Sequence, residues 1–274
     1  MIRTPKENTC FGVINHRLAL FNASKSHHHY WNQYWNNYSY LNNLLQLGKA
    51  GNLGEFKHII LKYINKEKLT LEAGCGPGHM VAGLTTNGYK AIGIDYEPMV
   101  VKYANQQLPN ENITEGNVLA LNLPDASLGC YLSIGVVEHF INGPQPALLE
   151  ARRLLTPDGI ALISVPYLNP SRCTYLSTLN EISMELSNYR FHQYYFSIED
   201  FSKELSIAGF KVLEWYPYAV QAFLTREHFS FIKFWNHGFM RYPFQKIILR
   251  LLVHSPRSIR NKYGHMVMFV CRPV

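Results

Sequence analysis

Cysteine is scarce in this chain, and its occurrences form no pattern. Cys10, Cys75, Cys130, Cys173 and Cys271 are odd in number and widely separated, with no C-x-x-C pair among them. Disulfide frameworks and structural zinc sites need closely or regularly spaced cysteines. The sequence therefore predicts neither, and scattered thiols favour a reducing compartment.

Long uninterrupted apolar runs are also missing. No window approaches the roughly 18 apolar residues of a membrane-spanning helix, and the first residues lack the apolar stretch of a signal peptide. Hydrophobic residues nevertheless make up 47% of the 274 residues, which is ample for a core. We therefore expect a folded, cytoplasmic chain.

Acidic residues are scarce at the C-terminal end. Residues 220–274 carry nine Lys and Arg against Glu227 as the single acid, whereas the whole chain has a net charge of +7. A uniformly basic chain would suggest a nucleic-acid partner. Because the excess of cations is confined to the last fifth of this chain, nucleic-acid binding is not favoured.

The most informative segment is residues 69–78, which read Leu-Thr-Leu-Glu-Ala-Gly-Cys-Gly-Pro-Gly. A short apolar strand runs into a turn with Gly74, Gly76 and Gly78, and glycine lets the backbone take positive φ and approach a ligand closely. A helix predicted from about residue 79 to 87 points its N-terminus at that ligand. Strand, glycine turn and helix form the nucleotide-binding corner of a doubly wound α/β domain.

The spacing separates this turn from a dinucleotide fingerprint. G-x-G-x-x-G would place its third glycine at position 79, which is His79. The pattern is instead G-x-G-x-G after an acidic residue, and it resembles the first motif of the class I S-adenosylmethionine-dependent methyltransferases, in particular small-molecule enzymes of the ubiquinone-biosynthesis type. The resemblance implies that S-adenosylmethionine lies against the residues of this turn, which are Glu72, Ala73, Gly74, Cys75, Gly76 and Gly78.

A second predicted strand ends in a carboxylate. Residues 90–95 read Lys-Ala-Ile-Gly-Ile-Asp, and a carboxylate at this place can accept hydrogen bonds from both hydroxyls of a ribose. The resemblance implies that role for Asp95, with Tyr96 and Met99 beside it. The alternative is that Asp95 only caps the helix that Pro98 helps to begin.

Two later segments continue the resemblance in register. Asn117 stands where the family usually has an Asp that accepts from the adenine amino group, and an amide oxygen can still accept that bond. Residues 128–135 form the predicted fourth strand, in which Gly129 replaces a usual Asp. The remaining cofactor contacts that the resemblance implies are Val118, Ser133, Ile134 and Gly135.

The order of elements predicts an α/β fold with a Rossmann-like, doubly wound, seven-stranded sheet and a reversed last hairpin, formed by residues 55–218 and 265–274. Residues 1–54 are predicted as an N-terminal helical extension, irregular to about residue 25. Its aromatic-rich amphipathic helix either packs on the sheet or closes over the cofactor as a lid. Residues 219–264 are predicted as a basic, aromatic, helical insertion. We also expect helices near residues 175–186 and from residue 197, a turn at 157–159 and a strand at 160–165.

Histidines are the candidate catalytic residues. Methyl transfer mainly needs alignment and exclusion of water, but a hydroxyl or acidic-carbon acceptor also needs a base. His139 follows the fourth strand and is the first candidate, the alternative being a His that caps a helix or bonds a backbone carbonyl. His192, near the predicted acceptor pocket, is the second. No metal is predicted, since the adjacent histidines 27–29 cannot converge on one ion.

Three functional interpretations stay open. The first is O- or C-methylation of a small, apolar acceptor, lipid-like or carrier-linked, with peripheral contact to an anionic membrane surface through residues 219–264. The second is an RNA-directed methyltransferase, although residues 133–136 lack the tetrapeptide of enzymes that methylate base amino groups. The third is a non-catalytic S-adenosylmethionine-binding module. The sequence predicts no oligomeric state.

Overall fold

The computed structural model of the chain describes residues 2–3, 9–22, 35, 37–177, 189–226 and 255–274. In chain order the strands are β1 Ile2–Arg3, β2 Thr9–Ile14, β3 Arg17–Asn22, β4 Thr70–Ala73, β5 Ala91–Asp95, β6 Asn112–Glu115, β7 Leu128–Ile134, β8 Leu155–Pro166, β9 Arg190–Tyr194, β10 Phe210–Tyr218 and β11 Met266–Pro273. The helices are α1 Tyr38–Lys49, α2 Lys57–Tyr63, α3 His79–Thr86, α4 Pro98–Gln107, α5 Gln145–Leu154, α6 Pro170–Ser177, α7 Ile198–Ile207, α8 Val220–Arg226 and α9 Arg257–Tyr263.

The central sheet has seven strands in the order β10-β11-β8-β7-β4-β5-β6. Strands β4 to β8 are parallel, whereas β11 runs antiparallel to both β8 and β10. This arrangement confirms the predicted doubly wound sheet and its reversed last hairpin. Since the carboxyl ends of β4, β5 and β7 meet at one edge, residues that follow these strands lie close together.

Apolar side chains cover both faces of this sheet, as expected for strands that read as continuous hydrophobic runs. All four residues of β4 are buried. One face packs against helices α1 to α4 through residues such as Leu45, Ile60 and Val81. The other packs against α5 and α7 through residues such as Leu148 and Leu205. The parallel strands are therefore held between two helical layers.

The N-terminal region contains strands, which corrects the prediction of an irregular start and a purely helical extension. Strands β2 and β3 form a hairpin, and β3 pairs with β9 in a second sheet of order β1-β2-β3-β9. The hairpin turn, Asn15–His16, has positive φ at both residues (51° and 61°), as a type I′ turn requires. We name residues 9–22 the N-terminal hairpin.

Other expected elements are confirmed or shifted at their ends. The amphipathic helix is present as α1 and begins at Tyr38. Its N-cap residue is Asn37, whose side chain accepts a hydrogen bond from the Tyr40 N–H. Ser197 caps α7 by accepting from the Asp200 N–H, as its sequence predicts. The turn expected at residues 157–159 instead lies inside β8, where the pairing register with β7 shifts. Strand β8 therefore starts at Leu155.

Two expectations fall largely outside the described residues. The helix expected at residues 175–186 overlaps α6 only at its start, and residues 178–188 are not described. The described part of the predicted insertion contributes the short helices α8 and α9, while residues 227–254 are not described. Among the helices that the structure describes, none combines the length and apolarity needed to cross a bilayer.

Candidate active site

The glycine turn between β4 and α3 has a backbone geometry that strongly favours glycine. Gly74, Gly76 and Gly78 all have positive φ, at 78°, 52° and 77°. A Cβ at Gly74 would lie 2.4 Å from Cγ2 of Val136, and one at Gly78 would lie 2.2 Å from Cδ1 of Ile113. The turn therefore presents bare backbone beside the N-terminus of α3, where partial positive charge is available to a ligand.

Asp95 connects this turn to the end of β5. One of its carboxylate oxygens accepts from the Gly76 N–H at 2.8 Å, and the other accepts from the Glu97 N–H at 3.0 Å. Glu97, and not Asp95, is the N-cap residue of α4. Burial of the Asp95 side chain raises the pKa of its carboxyl above the ordinary value. Asp95 thus stabilises the turn through these hydrogen bonds, and its carboxylate oxygens lie at the edge of the sheet, where they can also accept hydrogen bonds from a ligand.

Glu72 is a second buried carboxyl at the same place. Its Oε2 has no hydrogen-bond partner among the described residues. Burial, with the nearby charge of Asp95, raises the pKa of Glu72 well above its ordinary range. A buried acid pair of this kind suits a ligand that brings positive charge and hydroxyl groups. S-adenosylmethionine has both, in its sulfonium, its ammonium and its ribose, so the residues present fit this cofactor.

The other cofactor-site residues expected from the sequence lie along the same edge. Ala73, Cys75 and Val118 are buried, Tyr96 and Asn117 are exposed, and Met99 lies between these extremes. Asn117 Oδ1 accepts from the Leu119 N–H at 3.0 Å, so its oxygen already serves the local turn. Three more expected residues lie at the end of β7. Ser133 and Ile134 are the last residues of the strand, and Gly135 follows it.

Gly129, which replaces a usual family Asp, does not reach this edge. It lies near the start of β7, at the opposite end of the strand from Ile134. A Cβ at Gly129 would lie 2.2 Å from Cβ of Lys68. The absence of an acidic side chain at position 129 therefore reflects close packing against Lys68, in the chain that enters β4. This absence removes no contact from the candidate site.

Trp35 is a site residue that sequence reasoning did not single out. A Cβ placed on Gly76 would lie 2.8 Å from Cη2 of the Trp35 ring. The indole therefore covers the glycine turn from the side of the N-terminal region. The run of aromatic residues before α1 is the sequence signal that accompanies this contact.

His139 lies in the 3-10 turn Val137–His139 that follows β7. Its Nδ1 lies 2.7 Å from the backbone carbonyl oxygen of His192, and its Nε2 lies 3.8 Å from Oε1 of Glu138. A carbonyl oxygen can only accept, so in neutral His139 the proton is on Nδ1 and the lone pair is on Nε2. The expected alternative, a His bonded to a backbone carbonyl, is thus present and leaves Nε2 able to accept a proton.

Two buried groups surround this histidine. The His192 ring centroid lies 5.0 Å from that of His139. Glu138 is 1% exposed, its Oε2 has no hydrogen-bond partner among the described residues, and burial raises the pKa of its carboxyl to about 8. Sequence reasoning missed Glu138, although its place directly before His139 was a usable signal.

A pair of hydroxyl groups lies on β8 and β10, the two strands on either side of β11. The Tyr218 hydroxyl, at the end of β10, is 2.6 Å from the Ser164 hydroxyl on β8. Burial, with the nearby charge of Glu138, raises the pKa of Tyr218 above its ordinary value. Tyr218 also lines a cavity of about 570 Å³ beside α2 and α9, which includes none of the site residues expected from the sequence. Within the described parts of the chain, no group of three or more His, Cys, Asp or Glu side chains could hold a metal ion.

The sheet order and the glycine turn define a Rossmann-like, cofactor-binding methyltransferase domain, and comparison with known proteins agrees. Residues 71–163 match the family model described as a methyltransferase domain. An S-adenosylmethionine-dependent methyltransferase of Mycolicibacterium smegmatis is 31% identical over 145 residues, which are 52% of this chain and 51% of that protein. A malonyl-[acyl-carrier protein] O-methyltransferase of Yersinia pestis is 31% identical over 97 residues, 35% of this chain and 36% of that protein.

Solved structures share the fold at low sequence identity. A chain of the complex between the Haloferax volcanii Trm112 methyltransferase activator and a methyltransferase superposes with a TM-score of 0.59 at 14% identity, covering 89% of this chain and 97% of that chain. A TehB-like methyltransferase of Corynebacterium glutamicum gives 0.51 at 17% identity, covering 92% and 100%.

Residues 71–163 of this chain therefore form a methyltransferase domain, and the similarity to S-adenosylmethionine-dependent methyltransferases supports S-adenosylmethionine as its cofactor. The matches span about half of the Mycolicibacterium protein and about a third of the Yersinia protein. The segment that matches the family model contains the glycine turn, Asp95 and His139, but neither the N-terminal hairpin nor β9.

Proposed function

We propose that this chain transfers the methyl group of S-adenosylmethionine to a hydroxyl group of a small acceptor, with His139 as the general base. The single observation that carries this proposal is the lone pair on Nε2 of His139, just beyond the end of β7. Val136, three residues before it, contacts the glycine turn at Gly74. The base thus lies in the turn that follows β7, and β7 is the strand next to the cofactor-binding strand β4.

The bound cofactor supplies the reactive methyl group on a sulfonium centre. The residues of the chain then have three tasks. The glycine turn and Asp95 would hold the cofactor, and the buried surroundings would exclude water. Nε2 of His139 would take the acceptor proton while the acceptor oxygen bonds the methyl carbon and the methyl–sulfur bond breaks, with the neutral thioether as the leaving group. A neutral imidazole is the side chain most often used for such a proton transfer.

A partly apolar or carrier-linked acceptor is the finer part of this proposal. The cavity beside Tyr218 is lined by apolar side chains such as Phe56, Leu61 and Met268, with Arg260 among its polar residues. The Yersinia relative is named as acting on a malonyl group attached to acyl carrier protein. The cavity supports an acceptor with an apolar part, and the name of the Yersinia relative supports a carrier-linked acceptor.

Titration calorimetry with S-adenosylmethionine, followed by methyl-release assays on a panel of hydroxyl acceptors, tests the proposal. We expect His139→Ala to lower turnover about 100-fold or more with little change in cofactor affinity. His139→Asn is the structural control, because its amide N–H can still donate to the His192 carbonyl while no base is present. We expect it to be as inactive as His139→Ala but as stable as the parent.

Three outcomes would contradict parts of the proposal. Full activity of both His139 variants would exclude this base. Cofactor binding without methyl release from any acceptor would favour a non-catalytic binding module. Methyl transfer to RNA, with none to small acceptors, would favour the RNA-directed alternative.

Peripheral membrane contact remains a further proposal of the same kind. It rests mainly on residues 227–254, which lie outside the described residues, and on the cationic α9 with Arg257, Arg260 and Lys262. Sedimentation with anionic vesicles at low salt and at roughly 0.5 M salt tests it, since surface attraction is screened at the higher ionic strength. Absence of binding at low salt would exclude it.

A further inference from the structure

The ladder between β3 and β9 contains one irregularity, and it falls at His192. Ala19 lies opposite Tyr194 and Leu20 opposite Gln193, but Phe21 lies opposite Phe191. Strand β9 therefore has one more residue than β3 over this stretch, and His192 is that extra residue. This is the two-against-one count of a β-bulge, a feature that bends a strand, disrupts the ladder locally and re-aims the residue at the bulge.

The backbone carbonyl of the bulged residue contacts the proposed base. The His192 oxygen accepts from Nδ1–H of His139 at 2.7 Å, and the turn that carries His139 packs against β9. In neutral histidine a hydrogen bond at one ring nitrogen decides which nitrogen keeps the lone pair. The bulge thus provides the acceptor that leaves Nε2 of His139 deprotonated.

The N-terminal hairpin holds this bulge from the other side. Arg17 on β3 forms ion pairs with Asp200, at 3.1 Å, and with Glu204, both on α7. The Leu18 carbonyl accepts from the Tyr195 N–H at 3.0 Å, just beyond the bulge. The Tyr194 hydroxyl donates to the carbonyl of Ile141, two residues after His139, at 2.7 Å. Because these contacts flank the bulge, its carbonyl has a fixed place relative to His139.

We infer that the β-bulge at His192, held by the N-terminal hairpin, is a positioning device that fixes the tautomer and ring orientation of His139. His192 acts here through its backbone and is a positioning residue. The inference deepens the proposed function and rests on it, because the tautomer matters for catalysis only if His139 is the base. It assigns a task to residues 9–22, which lie outside the segment that matches the family model.

The first experiment needs no variant in the bulge. Two-bond ¹H–¹⁵N correlation spectra of the full chain with ¹⁵N-labelled histidine report which ring nitrogen carries the proton. His139→Asn identifies the His139 signals by their loss. We expect a single Nδ1–H tautomer of neutral His139. An Nε2–H tautomer, or an even mixture of the two, would overturn the inference whatever the activity of the enzyme.

The second experiment removes the bulge. Deleting His192 places Phe191 next to Gln193, which already lie opposite Phe21 and Leu20, so the ladder becomes regular without any other register change. We expect loss of the pure Nδ1–H tautomer and a turnover about 100-fold lower, since the wrong tautomer has no lone pair to accept the proton. Cofactor affinity by titration calorimetry stays within about twofold, because the glycine turn is untouched.

The matched variant is His192→Ala, which keeps the extra residue and its carbonyl while removing the ring. We expect this variant to keep the Nδ1–H tautomer of His139. A deletion variant that retains both tautomer and turnover, or an Ala variant that loses the tautomer, would show that the bulge carbonyl does not position the base. If the deletion variant does not fold, the spectra of the parent and of His192→Ala decide the matter.

These readouts separate the inference from the proposed function. An active His139→Ala variant together with a pure Nδ1–H tautomer in the parent would refute the base but leave the positioning geometry intact. An inactive His139→Ala variant with an Nε2–H tautomer in the parent would keep the base and refute the positioning role of the bulge.

Discussion

The two halves of the candidate site are built in different ways. The cofactor half consists of the turn from Glu72 to Gly78 together with Asp95, and its central hydrogen bond, Asp95 to Gly76, joins residues 19 positions apart. The acceptor half consists of residues 137–139, β9 and the N-terminal hairpin. Its central hydrogen bond, His139 to His192, joins residues 53 positions apart, and the Arg17–Glu204 ion pair spans 187.

This difference separates what the family shares from what belongs to this chain. The cofactor half is specified by positive-φ backbone conformations that favour glycine and by two carboxyl groups, Glu72 and Asp95, so short sequence motifs define it. The acceptor half depends on which distant strands pair, and such pairings tolerate change in surface segments. A common cofactor and a variable acceptor follow from these two kinds of construction.

The largest expected effect comes from crowding the cofactor half at its turn. Gly76→Val would place a branched side chain at a residue with φ of 52° and 2.8 Å from the Trp35 ring, beside the proposed cofactor position. We expect S-adenosylmethionine affinity to fall roughly 100-fold or more, since both backbone strain and blockage act together. Titration calorimetry measures this loss.

The matched control for that variant is Gly88→Val. Gly88 also has positive φ, at 80°, but a Cβ there meets only the end of the Lys66 side chain at 3.9 Å. It should lower stability by about 1–2 kcal/mol through strain alone, without weakening cofactor binding. Equal loss of binding in both variants would mean that strain, and not the ligand space, explains the effect.

A smaller effect is expected when the brace of the turn is removed. Asp95→Ala deletes the acceptor of the Gly76 and Glu97 N–H groups together with the proposed ribose partner. Charge-assisted hydrogen bonds contribute about 1.5–3 kcal/mol, so cofactor affinity should fall by roughly 10- to 100-fold. Asp125→Ala, at an exposed acid far from the turn, is the control. Unchanged affinity in Asp95→Ala would refute the assignment of Asp95 to the cofactor half.

The buried Glu138 in the acceptor half should make the stability of the folded chain depend on pH. Burial raises the pKa of Glu138 to about 8, so the folded chain keeps a proton that the unfolded chain releases above its ordinary pKa of 4.5. Stability should therefore fall as pH rises from about 5 to 8, by at most about 1.4 kcal/mol per pH unit. Urea unfolding of the parent and of Glu138→Gln at several pH values measures this slope.

In Glu138→Gln the fall of stability with rising pH that Glu138 causes should vanish. Glu150→Gln is the matched control, because the Arg153 side chain lowers the pKa of Glu150. The stabilisation by Glu150 is present above its unfolded pKa and is constant between pH 6 and 8, so this variant should keep the slope of the parent. His139 and Tyr218 are the titratable groups nearest to Glu138. A slope that survives in Glu138→Gln would assign it to another group.

The smallest expected effect is a proton released when the cofactor binds. Burial holds the pKa of Glu72 well above its ordinary range in the free chain, and a cationic ligand nearby lowers it again. Binding should therefore release protons, and affinity should rise with pH by at most about tenfold per unit. Calorimetry in buffers of different ionisation enthalpy counts the protons, and Glu72→Gln should abolish the Glu72 share. Equal release by both proteins would exclude Glu72 as the source.

The cofactor half could be predicted from the sequence almost completely. The glycine turn, the helix after it and the acid at the end of β5 all follow from local preferences, since each lies within one strand–turn–helix unit. Trp35 is absent from the expected cofactor contacts, although it belongs to the aromatic-rich segment that is expected either to pack on the sheet or to close over the cofactor. Gly129 seemed to weaken the site, and only the structure shows that its missing side chain makes room for Lys68.

The acceptor half was only partly accessible from the sequence. The sequence indicates His139 and His192 as candidate bases, but it does not predict the hydrogen bond between them. It predicts irregular chain at the N-terminal hairpin because β3 pairs with β9, about 170 residues further on, and pairing over that distance leaves no local periodic signal. The bulge at His192 is invisible for the same reason, as a bulge exists only relative to its partner strand.

The pairing of β3 with β9 also has a consequence for the order of folding. The hairpin is synthesised before its partner strand and before the α7 acids bound by Arg17, which come 168 to 187 residues later. Closing a loop of that length costs more conformational entropy than any step inside the βαβ units, and long-range pairings form slowly. The nucleotide corner is thus expected to assemble first, and the contact that aligns the histidine ring is among the last to form.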